Sequence, residues 1–259
     1  MNEEYNGRIR GTDPGNTDPW KALVEDRYTL ASLFCRDKKV LDSCCGTGWA
    51  TIKYLAPIAY SVTGFDMCEE MSRMSGAPAN CHFMQMDATK IGLANDKFDI
   101  ILALDSIEHF SYENAKKYLL GLSNAGKDNG IILGSTPLVI HDSLKPLFLG
   151  WNKYHLFMYT RNDLKKQLKS IFPKVKIFEL YHPVCPYFVF ICSTAESSTL
   201  LKEAKLVKDF ILKNISLYKK SWFDSHFFWI SRLLRKGMLK AAGITFLNIF
   251  KPIDFLHHE

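Results

Sequence analysis

The sequence predicts an α/β fold: a doubly wound, mostly parallel seven-stranded sheet with an antiparallel last strand, and a helical C-terminal extension. Three observations lead there. Between residues 39 and 135, apolar runs of strand length alternate with helical periodicity, and strand–helix–strand repetition with right-handed crossovers builds a parallel sheet. Four of those runs lead into an acidic residue, Asp42, Asp66, Asp87 and Asp105, and the first continues into a two-glycine turn, VLDSCCGTGWA. The last two runs, Val175–Leu180 and Tyr187–Cys192, are joined by a turn at His182-Pro183, which implies an antiparallel hairpin at the end of the sheet.

Each element has its own reason. Residues 1–19 hold three Gly, two Pro and two Thr-Asp pairs, the composition of an irregular arm. From Trp20, the positions Leu23, Val24, Tyr28, Leu30, Ala31, Leu33 and Phe34 give an amphipathic helix that would cover a sheet edge. Lys39–Ser43 is a strand, Trp49–Leu55 a helix, Tyr60–Asp66 a strand and Glu69–Met74 a short helix. Cys81–Met86, Phe98–Leu104 and Gly130–Ser135 are strands, with a helix from Tyr112 to Asn124 ended by Gly126 and the Asn129-Gly130 turn. Residues 138–159 resist regular assignment, with breaks expected at Pro137 and Pro146, and long irregular segments often carry function. Thr160 is placed to cap a helix over Asn162–Ile171. Beyond Ser197, Leu206, Phe210, Ile211, Ile215, Tyr218 and Trp222 fall at helical spacing, and Ile230–Met238 reads as a second helix. The expected organisation is an arm and covering helix over 1–36, a ligand-binding domain over 37–196 with an insert at 138–159, and a helical extension over 197–259.

Composition narrows the class. The net charge is +6 over 259 residues, and residues 200–259 alone carry eleven Lys+Arg against five Asp+Glu, so the basic excess belongs to the extension. That excess supports three readings: packing on the domain or a second copy, a peripheral contact with an anionic membrane surface, or nucleic acid, which is the least favoured. Oligomeric state stays open. Seven cysteines without a CxxC pair imply a reducing compartment and no disulfide framework. The polar N-terminus has no secretory apolar run and no stretch reaches transmembrane length, so a cytoplasmic enzyme, peripheral to the membrane at most, is expected. Cys44-Cys45 reads as packing, and no second ligand pair at metal spacing appears, so no metal is expected.

Chemistry concentrates at one rim. In a doubly wound sheet the ligand lies beyond the carboxyl ends of the strands, where the four acids stand, and Gly46 and Gly48 let the backbone approach it without a Cβ. A dinucleotide fingerprint would need a third glycine near position 51, where Thr51 stands. Asp87 alone reads equally as a helix N-cap.

From Val40 through Cys192 the chain resembles a class I, Rossmann-like S-adenosylmethionine-dependent methyltransferase. VLDSCCGTGWA resembles the family's glycine motif, VTGFDMCEEM its second-strand acidic motif, FMQMDATKI its adenine-contacting motif, FDIILALDSIEHF its fourth strand and NGIILGSTP its fifth. DSIEHF, GSTP, WNKYHLFMYTRNDLKKQL and DRYTLASLF resemble, more narrowly, the small-molecule and glycan-associated branch. The resemblance implies S-adenosyl-L-methionine as cofactor and S-adenosyl-L-homocysteine as product. It would put Asp42 near the methionine amino end, Gly46 and Gly48 beneath the cofactor, Asp66 on the ribose and Met67 against the adenine. Asp87 would bond the adenine amine, Ala88 would read the ring, and Leu104 and Asp105 would border the methyl end. Cys44 departs from the pattern, standing where many members have the first glycine.

The implied reaction moves a methyl group to a small-molecule, glycan or lipid-linked acceptor, at oxygen. A hydroxyl acceptor calls for a general base, and His109 and His155 are the candidates. Trp20, Arg27, Tyr28, His141 and Tyr154 are expected to form the lid and acceptor pocket. The alternatives are an RNA or protein methyltransferase, or a non-catalytic module that binds the cofactor or its product.

Overall fold

The computed structural model describes residues 19–68, 76–91, 97–149, 152–196 and 198–214. The expected arm over 1–18, the short helix Glu69–Met74, and the helix over Ile230–Met238 with its basic flank lie outside these residues.

Helix α1 (Pro19–Cys35) leads into β1 (Lys39–Ser43), and β2 (Ser61–Asp66), β3 (Cys81–Gln85) and β4 (Phe98–Leu104) follow as expected. Then come α2 (Tyr112–Ala125), β5 (Gly126–Val139), α3 (Lys145–Leu149), β6 (Tyr159–Thr160), α4 (Arg161–Lys169), β7 (Lys174–Leu180), β8 (Tyr187–Ser193) and α5 (Leu201–Lys213). The sheet runs β3-β2-β1-β4-β5-β8-β7, with β6 pairing off this path against β5. Strands β1 to β5 pair in parallel, and β8 runs antiparallel to β5 and β7 on either side of it. The strand order reverses at β1, which puts the turn after β1 at the crevice where such sheets take ligands. Crossovers cover both faces, so β1, β2 and β8 are buried nearly end to end, and β5 from Gly130 onward.

Two local expectations change. The irregular segment does not begin at 138, because β5 runs on to Val139 with Pro137 inside it, opposite Tyr187. The amide of Leu138 donates to Pro186, toward β8, so the position of Pro137 that lacks an N–H faces the other way. On that side the pairing with β4 has already ended, at Ser135 opposite Leu104, and no ladder bond is lost. Pro146 likewise sits in the first turn of α3, where a missing N–H costs nothing.

The helices follow their caps. Ser111 accepts from the Asn114 amide at the start of α2, which buries Ala115, Tyr118, Leu119, Leu122 and Ala125. Thr160 and Asp163 form a reciprocal capping box on α4. Of the extension, α5 turns Ala204, Val207, Phe210 and Ile211 inward and packs on α1 and β7, so its apolar face is already used. No helix among the described residues is long and apolar enough to cross a membrane.

The sheet centre is packed to the limit at Gly134. A Cβ there would stand 2.0 to 2.7 Å from ring carbons of Phe190, its β8 partner, which is itself fully buried. Gly134→Ala is therefore expected to lower unfolding free energy by at least about 1–3 kcal/mol, the cost of overpacking a rigid core. Urea unfolding against wild type checks this, and an unchanged midpoint would mean that the two strands are not this close.

Candidate functional site

The four expected acids do share one rim. Because β1 to β4 are parallel, their carboxyl ends deliver Asp42, Asp66, Asp87 and Asp105 to the same edge, and the environment of each acid differs.

Asp42 is 1% exposed. Its Oδ2 accepts from Tyr28 Oη at 3.0 Å and from Thr51 Oγ1 at 2.5 Å, while Oδ1 has no partner among the described residues. Thr51 opens a π-turn, Thr51–Leu55, in which the Ala56 amide reaches back to the Thr51 carbonyl. Burial pushes the Asp42 carboxyl up to about 6; the Thr51 and Tyr28 hydroxyls oppose this and the Asp66 charge adds to it.

Asp66 ties two turns together. Gly46 N–H donates to its Oδ2 and Cys68 N–H to its Oδ1, each at 3.0 Å, so the loop after β1 is fixed to the turn after β2. Cys45 N–H also donates to the Phe65 carbonyl. Within this loop Gly46 and Gly48 have φ of +62° and +72°, and among the described residues no atom beyond the chain neighbours lies within 4 Å of where a Gly46 Cβ would stand. Cys44 adopts φ 57°, the left-handed conformation that the missing glycine would take freely. Following Asp66 in the chain, Met67 is 53% exposed, and its carbonyl accepts from Gln85 Nε2.

Asp87 accepts from the amide and hydroxyl of Thr89 and so caps the short turn Ala88–Lys90, in which Ala88 is buried. Those bonds hold its carboxyl below the usual range, with Lys90 contributing. Both readings of Asp87 stay compatible: it is a cap, and it stands on the rim.

Asp105 follows Leu104 at the end of β4 with φ 45°, a second strained non-glycine on this edge. Ser135 Oγ donates to its Oδ1, and the guanidinium of Arg27 pairs with its Oδ2. Arg27 is only 4% exposed; its guanidinium lies over the Tyr187 ring at 4.7 Å, and Nε has no partner among the described residues. Tyr187 in turn donates to Asp26 Oδ2 at 2.6 Å. Arg27 and Tyr28, adjacent on α1, thus serve the acids of β4 and β1.

The two candidate bases meet. Ile107–His109 forms a single turn after β4, and the His109 and His155 rings stand edge to face with centroids 4.9 Å apart. What joins them is the backbone carbonyl of Glu108, which accepts from the Leu156 and Phe157 amides at 2.8 and 3.2 Å. Burial with His109 alongside pushes His155 down to about 4, so this imidazole is neutral at physiological pH. Tyr154 contributes its carbonyl, which accepts from His109 Nδ1 at 3.1 Å. The remaining pocket candidates sit apart: Trp20 is 47% exposed at the start of α1, and exposed His141 pairs with Ser143 in its own turn.

Sequence reasoning missed Glu108. It is 1% exposed, Thr136 Oγ1 donates to its Oε2 at 2.9 Å, and burial raises its carboxyl despite His109 and Arg27 nearby. A glutamate preceding a histidine in a turn carries no sign of its burial. Tyr118 was read only as a helix residue, yet its hydroxyl meets Ser43 Oγ at 2.5 Å and Ser106 Oγ at 3.1 Å beneath the rim.

Residues 21–171 match a family model described as a methyltransferase domain. No curated protein matches the sequence. Among solved structures, a SAM-dependent methyltransferase from Archaeoglobus fulgidus is 18% identical with a TM-score of 0.51, the match covering 66% of this chain and 94% of that one. A putative O-methyltransferase from Nostoc punctiforme is 16% identical at 0.54, covering 67% and 57%. The [4+2]-cyclase SpnF is 14% identical at 0.53, covering 67% and 80%. At these identities the likeness concerns the fold.

The Asp42 carboxyl has a pH signature. Folded, it keeps its proton to about pH 6, whereas its ordinary value is 3.8, so its stabilising contribution is complete below about pH 4 and lost as pH rises through 6. That gap corresponds to roughly 3 kcal/mol. Asp42→Asn should remove this segment of the stability profile, which urea titrations at intervals from pH 4 to 7 would reveal; parallel profiles for the two proteins would refute it.

Proposed function

The chain belongs to the methyltransferase-domain family, with S-adenosyl-L-methionine as its cofactor, and from that premise we propose that it methylates a hydroxyl oxygen of a small-molecule, glycan or lipid-intermediate acceptor. The observation that carries the acceptor reading is the imidazole pair His109–His155, held just beyond the end of β4. Oxygen acceptors must lose a proton, and two imidazoles beside the rim offer a place for it to go.

The residues present fit the cofactor. Gly46 leaves its approach open among the described residues, Asp42 keeps a buried oxygen without a partner among them, and Met67 offers an exposed apolar surface beside Asp66. Asp66 would hold the ribose hydroxyls, with Met67, Asp87 and Ala88 around the adenine and Asp42, Leu104 and Asp105 toward the methionine end. Bound there, the cofactor supplies an electrophilic methyl group on a sulfonium. The chain's own share of the work is alignment and exclusion of water: the strained loop and the Arg27–Asp105 pair set the rim before any ligand arrives. Arg27 and Tyr28 would shape the acceptor side from α1, and the insert through Tyr154 would bring His155 to it, while Trp20 and His141 stand apart from it. The basic stretch beyond α5 would give a lipid-linked acceptor its membrane surface.

One observation keeps a second reading alive. A fold whose solved members include a protein described as a [4+2]-cyclase does not by itself fix the chemistry. The chain could then bind the cofactor or its product without methylating. Release of S-adenosyl-L-homocysteine across a panel of hydroxylated small molecules, glycans and lipid-linked sugars, with the methylated atom located by NMR, separates the two. Tight binding without turnover favours the module, and methyl on nitrogen removes the oxygen assignment.

Asp66→Ala is expected to weaken S-adenosyl-L-homocysteine binding by about 100-fold or more, the loss of charge-assisted bonds to two hydroxyls. Calorimetry measures it, with far-ultraviolet circular dichroism to confirm the fold. Undiminished affinity in a folded variant would take the ribose role away from Asp66.

A further inference from the structure

Glu108, His109 and His155 each place one ligand atom within 4.8 Å of the others. No spacing in the sequence announces this set, because the third member returns from 46 residues away through the Glu108 carbonyl bonds to Leu156 and Phe157. Two imidazoles and a carboxylate form the donor set of open-sided catalytic sites for divalent transition metals, which keep a further position for water or substrate.

The hydrogen bonds around the set bear on which nitrogens carry the lone pairs. The Tyr154 carbonyl can only accept, so His109 Nδ1 carries the proton and Nε2 the lone pair. This is the outer bond that metal-bound histidines usually make. For His155, Asn152 Oδ1 accepts from the Tyr154 amide, which orients the side-chain amide so that Nδ2 donates to His155 Nε2 at 2.9 Å. The second lone pair is thus also on Nε2, and an amide N–H, a weaker electrophile, occupies it. Thr136 Oγ1 holds one Glu108 oxygen and so orients the carboxylate. The Glu108 carboxylate is buried, and a divalent cation would meet its charge there.

We propose that Glu108, His109 and His155 bind one divalent transition-metal ion, Zn²⁺-like in its preferences, whose open position takes the acceptor hydroxyl. On binding, the cation displaces the Asn152 amide from His155. The coordinated hydroxyl releases its proton to solvent and the oxygen keeps the electron pair, so with the cation bound the two imidazoles act as ligands in place of the base role above, and the acceptor is ionised near neutral pH. This last step rests on the hydroxyl-acceptor reading above; cation binding does not.

The test uses the full chain with His257 and His258 replaced by alanine throughout, so that this adjacent pair contributes no ligand. Metal-stripped protein is titrated with Co²⁺, followed by its visible d–d bands, and then with Zn²⁺ by calorimetry, in the absence of cofactor. One ion per chain is expected, with affinity falling at least about 10-fold in Glu108→Gln, His109→Asn and His155→Ala and unchanged in His82→Ala, which alters an exposed histidine on β3. His109 is exposed, so its variant keeps the test decisive if Glu108→Gln fails to fold. Absence of saturable one-to-one binding, or affinity unaffected by His109→Asn and His155→Ala, overturns the proposal. S-adenosyl-L-homocysteine affinity on the same samples keeps the readings separate: retained cofactor binding without the cation overturns the metal site alone.

Discussion

A carboxylate removed from water has to be met by donors or a cation, and this sheet gathers four acids along a single edge, two of them buried and two partly so. The rest of the structure is arranged around meeting them. Asp66 is met by two backbone amides, Asp87 by the turn that it caps, Asp42 by two hydroxyls and Asp105 by a buried guanidinium. Arg27 and Tyr28 are neighbours on one helix, so a single element neutralises or bonds the ends of β4 and β1. Removing one partner of a buried ion pair costs about 3–5 kcal/mol, less here because Asp105 is 28% exposed. That is still a large part of the stability of a typical domain. The covering helix is therefore part of the site as well as of the core.

The same edge stores strain. Cys44 and Asp105 are non-glycine residues in the left-handed region, at a cost of about 1–2 kcal/mol each. Both follow directly on strands that are neighbours in the sheet, and both are held by surrounding bonds: Cys45 and Gly46 to β2, Asp105 to Ser135 and Arg27. A rim kept in an unfavourable backbone by its surroundings does not have to reorganise when a ligand arrives. This is the geometry that a displacement reaction needs, where rate depends on alignment more than on acid or base strength.

Much of this was legible in the sequence because it is local or periodic. Strand–helix alternation gave the order of elements, Thr160 marked the start of α4, and acids at the ends of apolar runs located the rim. Pro137 misled because a proline is read as a break from its own side of the backbone, and only the end of the β4 pairing tells which side is vacant. The histidine pair was named without the contact between its members, and Glu108 was not named at all. Both depend on one carbonyl accepting two amides from a distant loop, and no periodicity records such a return. Cys44 was legible as a departure from the glycine pattern, but its φ, which explains why the departure is tolerated, was not.

The position of Arg27 also bears on how the domain comes into being. Protein chains leave the ribosome N-terminus first, and α1 precedes every strand that it serves. Tyr28 finds Asp42 only 14 residues later, but the guanidinium of Arg27 waits for Asp105 at the end of the fourth strand and for the Tyr187 ring in the last one. A helix made before these strands is thus among the last elements to be locked. Arg27 and Asp105 are both made well before β8, but the Tyr187 ring against that guanidinium arrives only with the strand that lies between β5 and β7.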